Sequence, residues 1–188
     1  MIANAYKDEW SKLGGGVKNY LAYGDFPIYE YGETENYKMP RGIVLDRDLS
    51  KVYPVDANSP EEIKEYIYHS WYNYTQGDKI GLHPYDGETH LNYTGPRPPY
   101  THLNVEDKYS WIKTPRWKEE PMEVGPLARM IVAYAAGKGA AKKSLINDTL
   151  KQLDLPVEAL FSTIGRTVAR GLETQSLQPV GLLSFTIV

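Results

Sequence analysis

Several groups of residues have the types and spacing for chemistry. His83-x-x-Asp86-x-x-x-His90 offers three metal ligands, and Asp86 with Glu88 or Glu119 with Glu120 offers a carboxylate pair. Spacing alone does not specify a metal site, and the Asp-Gly of "YDGET" is also ordinary turn chemistry. Successive or alternate carboxylates usually point different ways, whereas glycoside hydrolysis needs two at a set separation. "GKGAAKKS" combines glycines, lysines and a serine but lacks the four residues a phosphate loop places between Gly and Gly-Lys. It reads as a solvated connection between helices. The triple glycine of "LGGGVKNY" reads as flexible or closely packed backbone. Arg166, Arg170 and Glu173 share one helix face. The plain reading is an ion-pair face, worth about 0.2–0.5 kcal/mol per pair; the other is a pair of arginines holding a buried segment.

The densest mixture of cations and aromatics is "KYSWIKTPRW", residues 108–117. Strand-like alternation would put Tyr109, Trp111 and Lys113 on one side, and cations among rings suit cation–π pairing. A single-stranded nucleic acid is one occupant of such a surface; another protein is the other. "HSWYNY" adds His69, Trp71, Tyr72 and Tyr74. Aromatics at this density are enriched in the cores of interfaces. His69 has a plain reading too, as a histidine capping the end of a helix.

Bulk properties narrow the choice. The 188 residues suffice for one domain with a real core, and a hydrophobic share of 41% argues against disorder throughout. The net charge is −3 and the pI about 5.8, which counts against a general polyanion binder. There is no cysteine, so thiolate metal sites, disulfides and cysteine nucleophiles are absent from this chain. No apolar run reaches the length of a membrane span, and "MIANAYKDEW" lacks the features of a secretory signal. Sixteen tyrosines suit large half-buried surfaces, where a ring packs and its hydroxyl finds a polar partner.

The elements that must position these residues read as mainly α, with a small β-hairpin and long ordered loops. The hairpin is expected over about 42–55, with Asp46–Ser50 as its turn. Ser59-Pro60-Glu61-Glu62 has the pattern of a capping box, which predicts a helix over about 60–72. Residues 76–106 are rich in proline and glycine and read as a long ordered loop that needs something to lie against. Apolar periodicity predicts helices over about 124–136, 142–153 and 157–174, the last with Phe161, Ile164, Val168 and Leu172 on one face. The final "SLQPVGLLSFTIV" changes to apolar, β-prone sequence.

"GGGVKNYLAYGDFP", "YIYHSWYNY", "LHPYDGET", "KYSWIKTPRW", "PMEVGPLARMIVAY" and "FSTIGRTVARGLE" occur in that order. Together they closely resemble the middle of the large, catalytic subunit of nickel–iron hydrogenases, best the membrane-bound uptake type. The resemblance covers residues 5–175 and implies a partial large-subunit fold over 1–175. The tail 176–188 does not match it, as a frameshift or an interrupted gene would produce. The intact subunit of that family cleaves or forms dihydrogen at a nickel–iron centre held by two Cys-x-x-Cys motifs, one near each end. Neither motif is present here, nor the family's catalytic arginine motif. The resemblance therefore implies an internal fragment with no catalytic and no metal-binding residue, binding no cofactor by itself and inactive alone.

The same resemblance implies a partner, the iron–sulfur small subunit of the heterodimer. It assigns His69, Trp71, Tyr72, Lys108, Tyr109, Trp111, Lys113 and Arg116 to the shared interface, with His69 toward the cluster nearest the active site. It implies no nucleic acid, a membrane-associated position on the periplasmic side, and membrane contact only through the complex. The alternative is a free-standing aromatic and basic module for single-stranded nucleic acid or carbohydrate, and a third reading is a carboxylate-based hydrolase.

Overall fold

The computed structural model describes residues 2–27, 37–98, 104–137 and 140–177. The readings of Gly139 and of the tail beyond Leu177 lie outside these residues. The chain divides into two units, one of Met1–Val55 with Glu123–Val188 and one of Asp56–Met122.

The first unit is built on helices. In chain order it has α1 (Ile2–Trp10), β1 (Tyr20–Ala22), β2 (Asp25–Pro27), β3 (Tyr37–Met39) and β4 (Gly42–Val44), then, beyond the second unit, α2 (Pro126–Ala136), α3 (Ala140–Leu153) and α4 (Thr163–Leu177). A 3-10 turn, Val157–Phe161, leads into α4. Helix α2 starts with Pro at its first turn and ends at Gly137, whose φ of 62° is the left-handed stop that glycine supplies without strain. Its Leu127, Ala128, Met130, Ile131, Val132 and Ala133 are all buried, so it is the central helix of this unit. Helix α4 is amphipathic, burying Ile164, Gly165, Val168, Ala169 and Leu172. Phe161, Ile146, Leu150 and Leu153 join the same core.

The expected hairpin over 42–55 is present only as a bridge. Ile43 and Tyr53 exchange backbone hydrogen bonds at 3.0 and 2.8 Å, but the ladder partner of β4 is β1, paired Leu21 to Ile43. Tyr20, Leu21, Ile43 and Val44 are fully buried or nearly so, which places both faces of this strand pair in the core.

The second unit holds strands and turns and, among the described residues, no helix. It comprises β5 (Ile63–Tyr66), β6 (Tyr72–Asn73), β7 (His90–Leu91), β8 (Thr114–Trp117) and β9 (Glu120–Pro121). Strand β8 is central, flanked by β5 and β9, and β6 pairs with β7. The turn from β8 to β9 is Lys118-Glu119, both at positive φ (49° and 68°), a geometry whose twist matches the strands.

The helix expected over 60–72 is therefore corrected to a strand. Its start does form. The Glu62 amide donates to Ser59 Oγ at 3.3 Å and the Ile63 amide to the Ser59 carbonyl at 3.1 Å. The chain then straightens, and Ile63 pairs with Trp117. Ile63 and Ile67 are both fully buried. A spacing of four returns to the same face in a strand as well as in a helix, so this pair could not separate the two. β-Branched and aromatic residues in "IKEYIY" and the waiting edge of β8 decide for the strand. The chain is thus mixed, with the mainly α expectation holding for the first unit alone.

Candidate functional site

Two segments of the second unit, 67–73 and 107–113, are joined backbone to backbone. The amides of Tyr109 and Ser110 both donate to the His69 carbonyl, at 2.9 and 3.2 Å, and the Trp71 amide donates to the Ser110 carbonyl at 2.8 Å. Side chains repeat the pattern. Trp71 Nε1 donates to the Lys108 carbonyl at 3.0 Å, and Ser70 Oγ donates to the Ile112 carbonyl. His69 Nδ1 lies 2.8 Å from the Asp107 carbonyl. A carbonyl only accepts, so Nδ1 is the donor in this contact, and Nε2 is the ring nitrogen left for another partner. His69 thus sits in a turn between β5 and β6, not at a helix end.

This junction gathers rings. Trp71 meets Trp111 edge-on at 5.1 Å and Tyr93 at 4.8 Å, Tyr93 stacks on Trp111 at 5.7 Å, and Tyr72 meets Trp111 at 5.6 Å. The amide of Asn92 donates to the Trp71 carbonyl, which brings Tyr93 alongside. A Cβ on Gly95 would come within 2.5 Å of the Trp71 ring and 2.6 Å of Tyr93, so only glycine permits this approach. Trp71 is buried, whereas Trp111, Tyr109, Tyr93 and Tyr68 are each more than 40% exposed, and Ile112 and Leu91 more than 70%.

The two lysines of the stretch face inward instead. Lys108 Nζ donates to the carbonyls of Tyr72 (2.7 Å), Ser70 (2.9 Å) and Ile67 (3.3 Å) and pairs with Asp78 at 2.8 Å. Lys113 Nζ donates to the Glu88 carbonyl at 3.0 Å, lies 3.7 Å from Glu65, and sits over the rings of Tyr72 and Tyr74. Arg116 is half-buried in β8, its Nη1 donating to the adjacent Pro115 carbonyl at 3.0 Å. Residues 108–113 form no strand, so the expected alternation does not apply to them. Tyr109 and Trp111 point out while Lys113 turns in. Sequence reasoning missed Ile112, Leu91, Tyr93 and Tyr68 as parts of the outer surface. The signal was slight, since single exposed apolar residues are common.

The other candidates resolve into structural roles. His83 is buried. Its Nε2 donates to the Ala57 carbonyl at 2.9 Å and its Nδ1 accepts from the Tyr85 amide at 3.2 Å, so both nitrogens are used. No group of three His, Cys, Asp or Glu among the described residues could hold a metal ion. Glu88 accepts from the amide and hydroxyl of Thr75 at 2.7 and 2.8 Å, and these bonds hold its carboxyl below the usual range. Glu119 accepts from Lys64 at 2.8 Å and from Tyr66 at 2.5 Å, and the lysine above all lowers its pKa. Neither carboxylate is paired with its sequence neighbour.

In the first unit, Arg166 forks onto Glu123 at 2.8 and 2.6 Å, and also donates to the Gly14 carbonyl. Glu173 accepts from Arg129 of α2 at 2.9 Å. The Arg166–Glu173 face therefore holds other segments of this chain. Arg47 donates to the Gly15 carbonyl at 2.6 Å, and a Cβ on Gly16 would meet Arg166 at 2.6 Å. The triple glycine is close packing, with guanidinium groups where a phosphate would have to sit.

The chain has no thiol, and its most chemical-looking residues build an aromatic face. The model of the nickel-dependent hydrogenase family matches residues 1–183, and the chain belongs to that family. It is 50% identical to the uptake hydrogenase large subunit of Rhizobium leguminosarum bv. viciae over 93% of its own length and 30% of that protein's. It is 38% identical to the hydrogenase-1 large chain of Escherichia coli over 90% of its length and 30% of the other. Among solved structures it resembles the NiFeSe hydrogenase of Desulfovibrio vulgaris Hildenborough, with TM-score 0.60, 32% identity, and coverage of 93% of this chain and 33% of that one. The NiFeSe hydrogenase of Desulfomicrobium baculatum gives TM-score 0.60 at 30% identity, covering 93% and 32%. The chain thus spans about a third of its relatives' length and carries part of the large-subunit fold. The family match runs on to residue 183, past residue 175.

Proposed function

We propose that this chain supplies scaffold and partner-facing surface to the large subunit of a nickel–iron uptake hydrogenase, whose intact form oxidises dihydrogen reversibly to protons and electrons. The observation that carries the reading is the outward aromatic face of Trp111, Tyr109, Tyr93, Ile112 and Leu91 on a rigidly bonded base. Its occupant is an iron–sulfur small subunit, and His69 makes a hydrogen bond that orders the junction with it. The residues present do not fit a nickel–iron centre. The chain has no cysteine, and soft thiolates are what such a centre requires. Its metal ligands therefore belong to other parts of the subunit, and this chain alone is inactive. The complex lies on the periplasmic side of the membrane, touching it indirectly; no described helix is long and apolar enough to cross one.

The nucleic-acid alternative is disfavoured because both lysines of the 108–117 stretch are turned inward and ion-paired. Lys108 pairs with Asp78, Lys113 with Glu65 and Lys118 with Glu62. Phosphate binding needs cations free to replace the counterions condensed on the nucleic acid. The test is capture of the chain by an uptake-hydrogenase small subunit, followed by titration. Capture is expected, with Trp111→Ala weakening it by about thirtyfold or more, as for a central aromatic anchor. No capture, or a salt-dependent affinity for oligonucleotides instead, would overturn the reading.

A further inference from the structure

We propose that Lys108 is a positioning residue, a built-in cation whose ammonium group sets the shape of the 67–72 loop and so of the aromatic face. This rests on the partner-facing reading of that face. An ammonium has three donors and no acceptor. Here the three short bonds go to the Tyr72 carbonyl (2.7 Å), Asp78 Oδ2 (2.8 Å) and the Ser70 carbonyl (2.9 Å), and the Ile67 carbonyl stands at 3.3 Å. Three carbonyls from one six-residue loop therefore converge on a single charge. Like dipoles pointed at one another repel, so this backbone shape needs a cation at its centre. The Lys108 side chain is only 9% exposed, which keeps water from replacing it. Asp78 completes the charge balance while its other oxygen accepts from the Tyr74 amide at 3.1 Å.

The rest of the face hangs on this loop. The Lys108 backbone carbonyl takes the Trp71 indole N–H, so one residue grips the loop by its side chain and the ring by its backbone. The Ser70 and Tyr72 carbonyls flank Trp71, whose own amide is held by Ser110. Lys108 thus acts through Trp71 and His69 on the exposed Trp111 and Tyr109, and its own ammonium touches no partner.

The experiment is amide hydrogen exchange on the full chain, comparing Lys108→Met, which keeps most of the stem and loses the charge, with the parent. The amides of Trp71, Tyr109 and Ser110 report the junction. Those of Glu65 and Leu82, which pair across β5, report the fold of the unit. Unmet buried carbonyls are expected to speed exchange at the junction about ten- to a hundredfold while the β5 amides change little. In Lys108→Ala, n-propylammonium replaces the atoms removed and should restore slow exchange. Tetramethylammonium, equally charged but without an N–H, should not. Unchanged exchange at the junction in Lys108→Met overturns the proposal. If that variant fails to fold, Lys108→Ala decides, and equal effects of the two ammonium ions overturn it. Faster junction exchange with undiminished capture by the small subunit keeps the positioning role and removes the partner-facing reading instead.

Discussion

Tyr74 shows how dry the interior of the Asp56–Met122 unit is. It is 4% exposed, its hydroxyl donates to the Glu65 carbonyl at 3.3 Å, and burial, with Glu65 and Glu88 adding to it, pushes its pKa from 10.0 up to about 12. The folded protein therefore holds the phenol neutral where an unfolded chain ionises it. The sign follows from the raised value. The stabilisation is complete below pH 10.0 and is lost as the pH climbs toward 12. Tyr74→Phe is expected to flatten this alkaline loss, read as denaturant midpoints across that range. An alkaline slope identical to the parent's would mean the phenol is not buried as described. Lys108 shows the limit of residue-level reading. Its place among aromatics suggested a surface cation, and nothing in the sequence states that three carbonyls and Asp78 enclose it.

At the scale of elements, legibility follows how unambiguous the local signal is. Helix α2 has Pro126 at its first turn, Gly137 at its end and apolar residues between, and each of these agrees with the others. Strand β5 has a helix-type start at Ser59 and two isoleucines four apart, so two signals favoured a helix until the edge of β8 was known. The transition into α4 depends on something sequence cannot display. A Cβ on Gly165 would stand 2.0 Å from the Leu160 carbonyl oxygen, whereas one on Gly137 meets nothing within 4 Å and suffers only from its φ of 62°. Gly137→Ala should therefore destabilise by about 1 kcal/mol. Gly165→Ala forces a backbone shift at the 3-10 turn and should destabilise by at least about 3 kcal/mol. Chemical denaturation of the two variants checks the order, and equal midpoints would refute this account of the junction.

For the molecule as a whole, the ordered motifs made the family legible, because they fix many residue types at once. The aromatic face was legible as a region and not as a surface. Of the residues assigned to it, Tyr109 and Trp111 point outward, Trp71 supports them from beneath, and Lys108 and Lys113 turn in. Which side of an irregular segment faces out depends on bonds between distant stretches, such as the Trp71 amide to the Ser110 carbonyl. The central claim is that this aromatic face is where a small subunit sits. Hydroxyl-radical footprinting of the chain, alone and with the iron–sulfur small subunit of an uptake hydrogenase, tests it most directly. Protection of Trp111, Tyr109, Ile112 and Leu91 on binding is expected. Binding that leaves those four side chains as reactive as in the free chain would contradict it.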